Sequence, residues 1–247
     1  MKLIFLIIFT IIILTSCDTD NNRCLKSNGE ITTVETPISY FNKIKIQSDF
    51  EVHVESSSKS SITITAGENL IPYIEYEIIN YELIINDKNG CNWLRKDIKP
   101  IITLKSPSFE EITIEQACDL VTNDTLKFEN LSVQTWAGIL TCNLNFEGDS
   151  LFFRCHATTG DYSIIGNCDY AYFYNVGNGY LKASRFECEY IHISHKSLGD
   201  SHINASEQII LEDIQFGTVT SYSNQCPEII TWGNDWGKSF INFGCQN

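Results

Sequence analysis

The residue whose position is most chemically specific is Cys17, which follows Leu14-Thr15-Ser16 at the end of an apolar run. Lys2 gives a positive start, and Leu3 to Leu14 is almost unbroken hydrophobic sequence. That run is too short and too poorly flanked for a stable span, so it reads as a processed leader. The small residues before Cys17 resemble a lipobox, which makes Cys17 the lipidated N-terminus of the mature chain. Residues 1–16 are then a signal peptide, and residues 17–30 a tether beginning Asp18-Thr19-Asp20-Asn21-Asn22. A diacylated cysteine suffices for lasting attachment to a membrane. An ordinary secretory leader with an incidental cysteine is the alternative.

A second set of residues could contact a ligand. If Leu151, Phe153, Ala171, Phe173, Ile191 and Ile193 point inward on strands, then Phe152, Tyr172 and His192 point outward and stack, flanked by Arg154 and Tyr174. Rings at strand spacing suit sugar faces or another apolar surface. A lateral loop covering them as a small second core is the competing reading. Trp136, Trp232 and Trp236 share that ambiguity, with capping of the ends favoured.

Catalysis has thinner support. Asp161 and Asp200 share a phase two coils apart, which separates them by about 9.6 Å at the spacing of strands, the far edge of what an inverting glycosidase uses. Both follow glycine, where turn chemistry already explains an aspartate. A nucleophile motif, phosphate loop and dinucleotide fingerprint are missing, so no catalytic residue and no cofactor is assigned. Asp124-Thr125-Leu126 and Asp149-Ser150-Leu151 match a short O-glycosylation pattern at Thr125 and Ser150, at what read as corresponding exposed corners; a capping turn explains them equally well.

Ten cysteines less Cys17 leave nine, so at least one is unpaired within a monomer. Cys24 with Cys91 and Cys226 with Cys245 are the candidate disulfides of an oxidising compartment. Cys168 and Cys188 should fall on adjacent coils with side chains pointing in parallel, poor geometry for a bridge, so buried free thiols are expected. Cys155-His156 alone does not supply a metal site.

These residues need elements to hold them. Leu131, Leu151, Ala171, Ile191, Ile209 and Ile229 begin successive units at offsets of 20, 20, 20, 18 and 20 residues. Ile112-Thr113-Ile114 reads as one earlier member. Gly160, Gly179, Gly199, Gly217 and Gly237 punctuate the units where a bend needs positive φ. Short runs of Val, Ile, Phe, Tyr and Thr alternate at period two, and helical patterns are essentially absent. A fixed period of about twenty is too short for a helix in each unit and is what a parallel β-solenoid requires. The fold class is therefore all-β, a β-helix with regular coils over residues 110–247 and a C-terminal cap at Trp232–Trp236. Residues 31–109 are expected to form irregular first coils or a capping sheet, with strands at 44–46, 50–54, 62–65, 74–79, 83–86 and 101–104. An antiparallel sandwich is the main competitor, weakened by the scarcity of hairpin signals.

Charge narrows the partners. The chain carries 17 Lys+Arg against 31 Asp+Glu, a net of −14, and loss of Lys2 makes the mature chain −15. Nucleic acid is excluded as a partner on that balance. A 43% hydrophobic fraction with 12% aromatics excludes a disordered protein.

The opening Tyr40-Phe41-Asn42-Lys43-Ile44-Lys45-Ile46, then Phe50-Glu51-Val52-His53-Val54, Asn69-Leu70-Ile71-Pro72-Tyr73-Ile74 and Tyr81-Glu82-Leu83-Ile84-Ile85, resembles the putative auto-transporter adhesin, head GIN domain family. Gly160-Asp161, Gly177-Asn178-Gly179-Tyr180-Leu181-Lys182-Ala183 and Gly199-Asp200-Ser201-His202-Ile203-Asn204-Ala205 resemble its repeated coils. The resemblance covers residues 38–245. It implies a right-handed β-helix and a Bacteroidetes lipoprotein, and brings no catalytic or binding residues with it. The chain departs from the pattern in being cysteine-rich and in having Asn178-Gly179-Tyr180 where a glycine-aspartate step is expected. The acidic tether is similar to the export tags of surface lipoproteins in that phylum, and reads equally well as a solvated linker. Together these readings give an adhesin-like, non-catalytic envelope lipoprotein of the outer membrane, periplasmic or surface-exposed, held by its lipid anchor. Its expected partner is a glycan or an extracellular protein. An assembly scaffold stacking end to end is the competing class, and a polysaccharide-active enzyme the third.

Overall fold

The computed structural model describes residues 27–89, 99–232 and 239–243. Cys17, Cys24, Cys91, Cys245, Gly237 and Trp236, and with them the leader, most of the tether and most of the C-terminal cap, lie outside the described residues.

The N-terminal part contains β1 (Ile31–Pro37), β2 (Lys43–Ile46), β3 (Phe50–Ser56), β4 (Ser61–Gly67), β5 (Ile74–Ile79), β6 (Glu82–Asp87) and β7 (Ile101–Ser106). Six of the seven coincide with the expected strands; β1 is additional. β2 and β3 form a coil, and β6 and β7 lie parallel on one side of it, Ile44 opposite Leu83 and Val52 opposite Ile102. On the other side lie β8 (Glu111–Ile114) and β9 (Cys118–Thr122), with Ile44 opposite Ile112 and Val52 opposite Leu120. The chain thus makes one coil, returns to cover its open side, and only then advances. β4 joins β1 and β7 antiparallel, and β5 forms an antiparallel hairpin with β6. These pairings occupy hydrogen-bonding edges that a bare terminal coil would leave open.

From there the chain climbs through β10 (Leu126–Lys127), β11 (Asn130–Thr135), β12 (Leu140–Thr158), β13 (Asp161–Gly177), β14 (Tyr180–Ser197), β15 (Ser201–Ile203), β16 (Ala205–Glu212), β17 (Val219–Ser221), β18 (Glu228–Trp232) and β19 (Phe240–Asn242). All pair in parallel with the strands one coil away, giving a β-solenoid of about six turns with coils about 20 residues apart. Leu131, Leu151, Ala171, Ile191, Ile209 and Ile229 stand in one register, as the repeat reading requires. The earlier member is displaced by one inward position: Ile112 pairs with Val133 rather than Leu131. A shift of two residues keeps the same face inward, so burial alone does not fix it.

The interior is a column of Ile, Leu and Phe, including fully buried Phe41, Phe50, Phe109, Phe146, Phe173 and Phe186. The glycine corners are not all alike. Gly160 adopts φ +151, as a bend requires, whereas Gly179 is needed for close approach, because a Cβ there would overlap the Tyr162 ring.

One inward row is polar: Thr135, Cys155, Asn175 and His195 occupy successive coils in register. All four are buried. Asn175 Nδ2 donates to the Gly179 carbonyl at 3.0 Å and lies 3.3 Å from Ser201 Oγ, which sits 3.0 Å from His195 Nδ1. With Ser201 accepting from Asn175, its own proton turns to Nδ1, an arrangement that takes the neutral imidazole. Burial pulls the His195 pKa down to about 4, against the opposing influence of Asp200 and the Phe216 backbone. The unfolded chain therefore binds this proton near pH 6.5 and the folded chain only near 4, so His195 stabilises the fold above pH 6.5 and that contribution is lost as pH falls towards 4. The loss should reach roughly 3 kcal/mol. Urea unfolding at a series of pH values should show this slope, and H195Q, which retains a hydrogen-bonding side chain, should lack it.

Candidate functional site

On the outward face, β12 to β14 bring Phe152, Tyr172 and His192 into register on three adjacent coils, with Ile210 and Ile230 continuing the row. The neighbouring row runs Gln134, Arg154, Tyr174, Ser194, Glu212 and Trp232. All five residues singled out from the sequence are therefore on one face, and all are half-buried.

The rings do not form the flat pile expected. Tyr172 meets His192 edge-on, centroids 4.9 Å apart at 68°. Phe152 leans on Tyr170 at 5.9 Å and 54°, with the Arg154 guanidinium 5.3 Å from its ring centre. Strand spacing near 4.8 Å is wider than a stacking separation, and Tyr172 and His192 close it by tilting. The flat contact lies elsewhere: Trp136 and His156 stack at 3.8 Å and 4°, with Tyr174 5.0 Å from His156. At the other end Trp232 meets His192 edge-on at 5.0 Å. Trp136 and Trp232 remain 60% and 52% exposed, so they bracket this face instead of capping the core as expected. Five steps between coils separate their rows, about 24 Å.

Polar groups are distributed among the rings. His192 Nε2 lies 2.8 Å from a Glu212 carboxylate oxygen. Burial, with Glu212 adding to it, raises the pKa of Tyr170 and Tyr172, keeping both phenols protonated as donors. Burial and the nearby Arg154 charge lower the pKa of His156, favouring the neutral ring in its stack. The face thus offers apolar ring surfaces, phenolic hydroxyls, one guanidinium and one carboxylate. Trp136, His156, Tyr170, Glu212 and Trp232 were not assigned to it from sequence, although Trp136 to His156 and Glu212 to Trp232 are each one 20-residue period.

The remaining candidates fall elsewhere. Asp161 and Asp200 do lie two coils apart in one row, through Tyr180 and through Leu181 opposite Ser201. Asp161 is ion-paired to Lys182 at 2.6 Å, and Asp200 accepts the Thr218 backbone N–H at 2.9 Å, so both have structural partners. Thr125 and Ser150 do not occupy corresponding corners. Leu126 is opposite Phe146, whereas Ser150 is opposite Asn130, further round the coil, because the two motifs are 25 residues apart rather than one period. Thr125 Oγ1 accepts from Asn145 Nδ2 at 2.8 Å, and Ser150 donates to Asn130. Cys226 is disulfide-bonded, while Cys118, Cys142, Cys155, Cys168 and Cys188 are buried free thiols. Among the described residues no group of three or more His, Cys, Asp and Glu could hold a metal ion, and no helix is long and apolar enough to cross a membrane.

A stack of parallel coils with side-chain rows on its flanks defines the chain as a β-solenoid protein. More specifically, the chain belongs to the putative auto-transporter adhesin, head GIN domain family, whose model matches residues 40–224. The fold is shared with a putative adhesin from Bacteroides fragilis (TM-score 0.69, 19% identity, covering 86% of this chain and 96% of the other). It is also similar to a putative adhesin from Parabacteroides merdae (TM-score 0.54, 20% identity, 87% and 97% covered). A third similar structure is a putative lipid binding protein from Parabacteroides distasonis (TM-score 0.59, 18% identity, 87% and 98% covered). No curated protein matches the chain.

Proposed function

We propose that this chain is a non-catalytic envelope lipoprotein, anchored to the outer membrane through Cys17, whose lateral face binds a glycan or another extracellular polymer. The observation that carries the reading is the exposed rim and tilted rings of the Trp136–Trp232 face, spread over successive coils and interspersed with Arg154, Glu212 and phenolic hydroxyls. Rings stack on the apolar faces of sugars, and the polar groups between them can pair with hydroxyls, so a periodic surface suits a repeating polymer. Family membership supports an adhesin-like role.

The test is binding of residues 18–247 to a panel of polysaccharides and matrix proteins, with polymer length followed over time. Tyr172→Ala should weaken Kd about tenfold for the bound member, the scale of one ring contact. Since Tyr172 points outward, its thermal unfolding should change little. No binding to any member, or binding indifferent to Tyr172, would contradict the assignment; shortening of a polymer would overturn the non-catalytic reading.

A further inference from the structure

Cys168 and Cys188 stand opposite each other on β13 and β14, 20 residues apart in sequence and one coil apart in space. Their Sγ atoms are 3.1 Å apart, well inside the strand spacing of about 4.8 Å, so the thiols lean towards each other instead of pointing in parallel. The same row has Gly148 before Cys168 and Ala205 after Cys188, small neighbours that leave room for the pair to turn inward on itself. Both cysteines are buried but lie beneath an open cavity. Cys168 and Cys188, 5% and 3% exposed, form part of the wall of a cavity of about 360 Å³ together with Asp169, Glu187, Glu189 and Asn204.

We propose that Cys168 and Cys188 are a redox-active pair that closes a disulfide between adjacent coils by exchange with a neutral or cationic disulfide entering this cavity. One protein thiol gives up its proton and attacks a sulfur of the incoming R–S–S–R, forming a mixed disulfide and releasing one thiolate, which takes up that proton. The second protein thiol gives up its proton and attacks the protein sulfur of the mixed disulfide, releasing the second external thiol. Two protein thiols are oxidised to one disulfide, and one external disulfide is reduced to two thiols. Adjacent parallel strands place the two Cα atoms within the range a disulfide spans, so closure needs rotation of side chains rather than movement of the coils. The carboxylates Asp169, Glu187 and Glu189 select the reagent, repelling anionic disulfides at low ionic strength.

The experiment treats the full chain under native conditions with cystamine or with oxidised glutathione, followed by alkylation in denaturant and peptide mapping. Cystamine should produce a cross-linked peptide joining Cys168 to Cys188 about tenfold faster than oxidised glutathione at low salt, the gap narrowing as salt is added. Cys142, fully buried on the inward side, should remain alkylatable throughout and so reports any global opening. In C168S and C188S a cysteamine adduct should accumulate on the cysteine that remains, in at least one of the two. Recovery of Cys168 and Cys188 both alkylated, or both as separate adducts without a cross-link, would overturn the proposal, as would modification of Cys142 at the same rate.

Discussion

Gly160→Val is expected to lower Tm by roughly 8 °C or more, about 4 kcal/mol in a domain of this size. Gly160 adopts φ +151, a region that side chains rarely enter, and a Cβ on it would overlap the carbonyl oxygen of Leu140 in the coil beneath. Its own carbonyl accepts the Tyr180 backbone N–H of the next coil at 2.8 Å. Backbone strain and steric overlap therefore fall where three successive coils meet, and backbone cannot yield as a flexible side chain can. Thermal unfolding followed by circular dichroism measures the effect; a Tm within about 2 °C of wild type would refute this account of the corner.

Phe186→Ala should cost about 3–5 kcal/mol. The Phe186 ring is fully buried, meets Phe173 edge-on at 6.5 Å, and stands opposite Gly166 in the preceding coil. Truncation would leave a cavity bounded by coils whose hydrogen-bonded spacing prevents them from collapsing into it. Phe186→Leu keeps much of the volume and should cost about 1.5 kcal/mol or less. Urea unfolding of both variants separates a packing contribution from simple loss of an aromatic ring.

The register of the later coils was legible in the sequence because each 20-residue unit repeats the same inward and outward choice, and errors in phase would turn hydrophobic residues to water. Leu131 through Ile229 show this directly. The placement of β6 and β7 before β2 and β3 was not legible, since these strands have no period and their order is set by which open edge they cover. Asn175 and His195 were also invisible as interior residues. Their polarity gives no signal of burial, and hydrogen bonds to the Gly179 carbonyl and through Ser201 make the inward position tolerable. The face itself was half legible: Phe152, Tyr172 and His192 followed from alternation, but the tilt of their rings and the recruitment of Trp136 and Trp232 depend on contacts between coils.

Trp136 and Trp232 provide the most direct measurement of the central claim, because both are exposed at the ends of the proposed binding face. Titration of residues 18–247 with the polysaccharide or matrix protein that binds should shift tryptophan emission with the same Kd as binding measured independently. W136F/W232F should lose most of that shift, and Tyr172→Ala should move the titration midpoint about tenfold higher. Saturable binding that leaves tryptophan emission unchanged, with a midpoint indifferent to Tyr172, would place the ligand elsewhere on the solenoid and contradict the account.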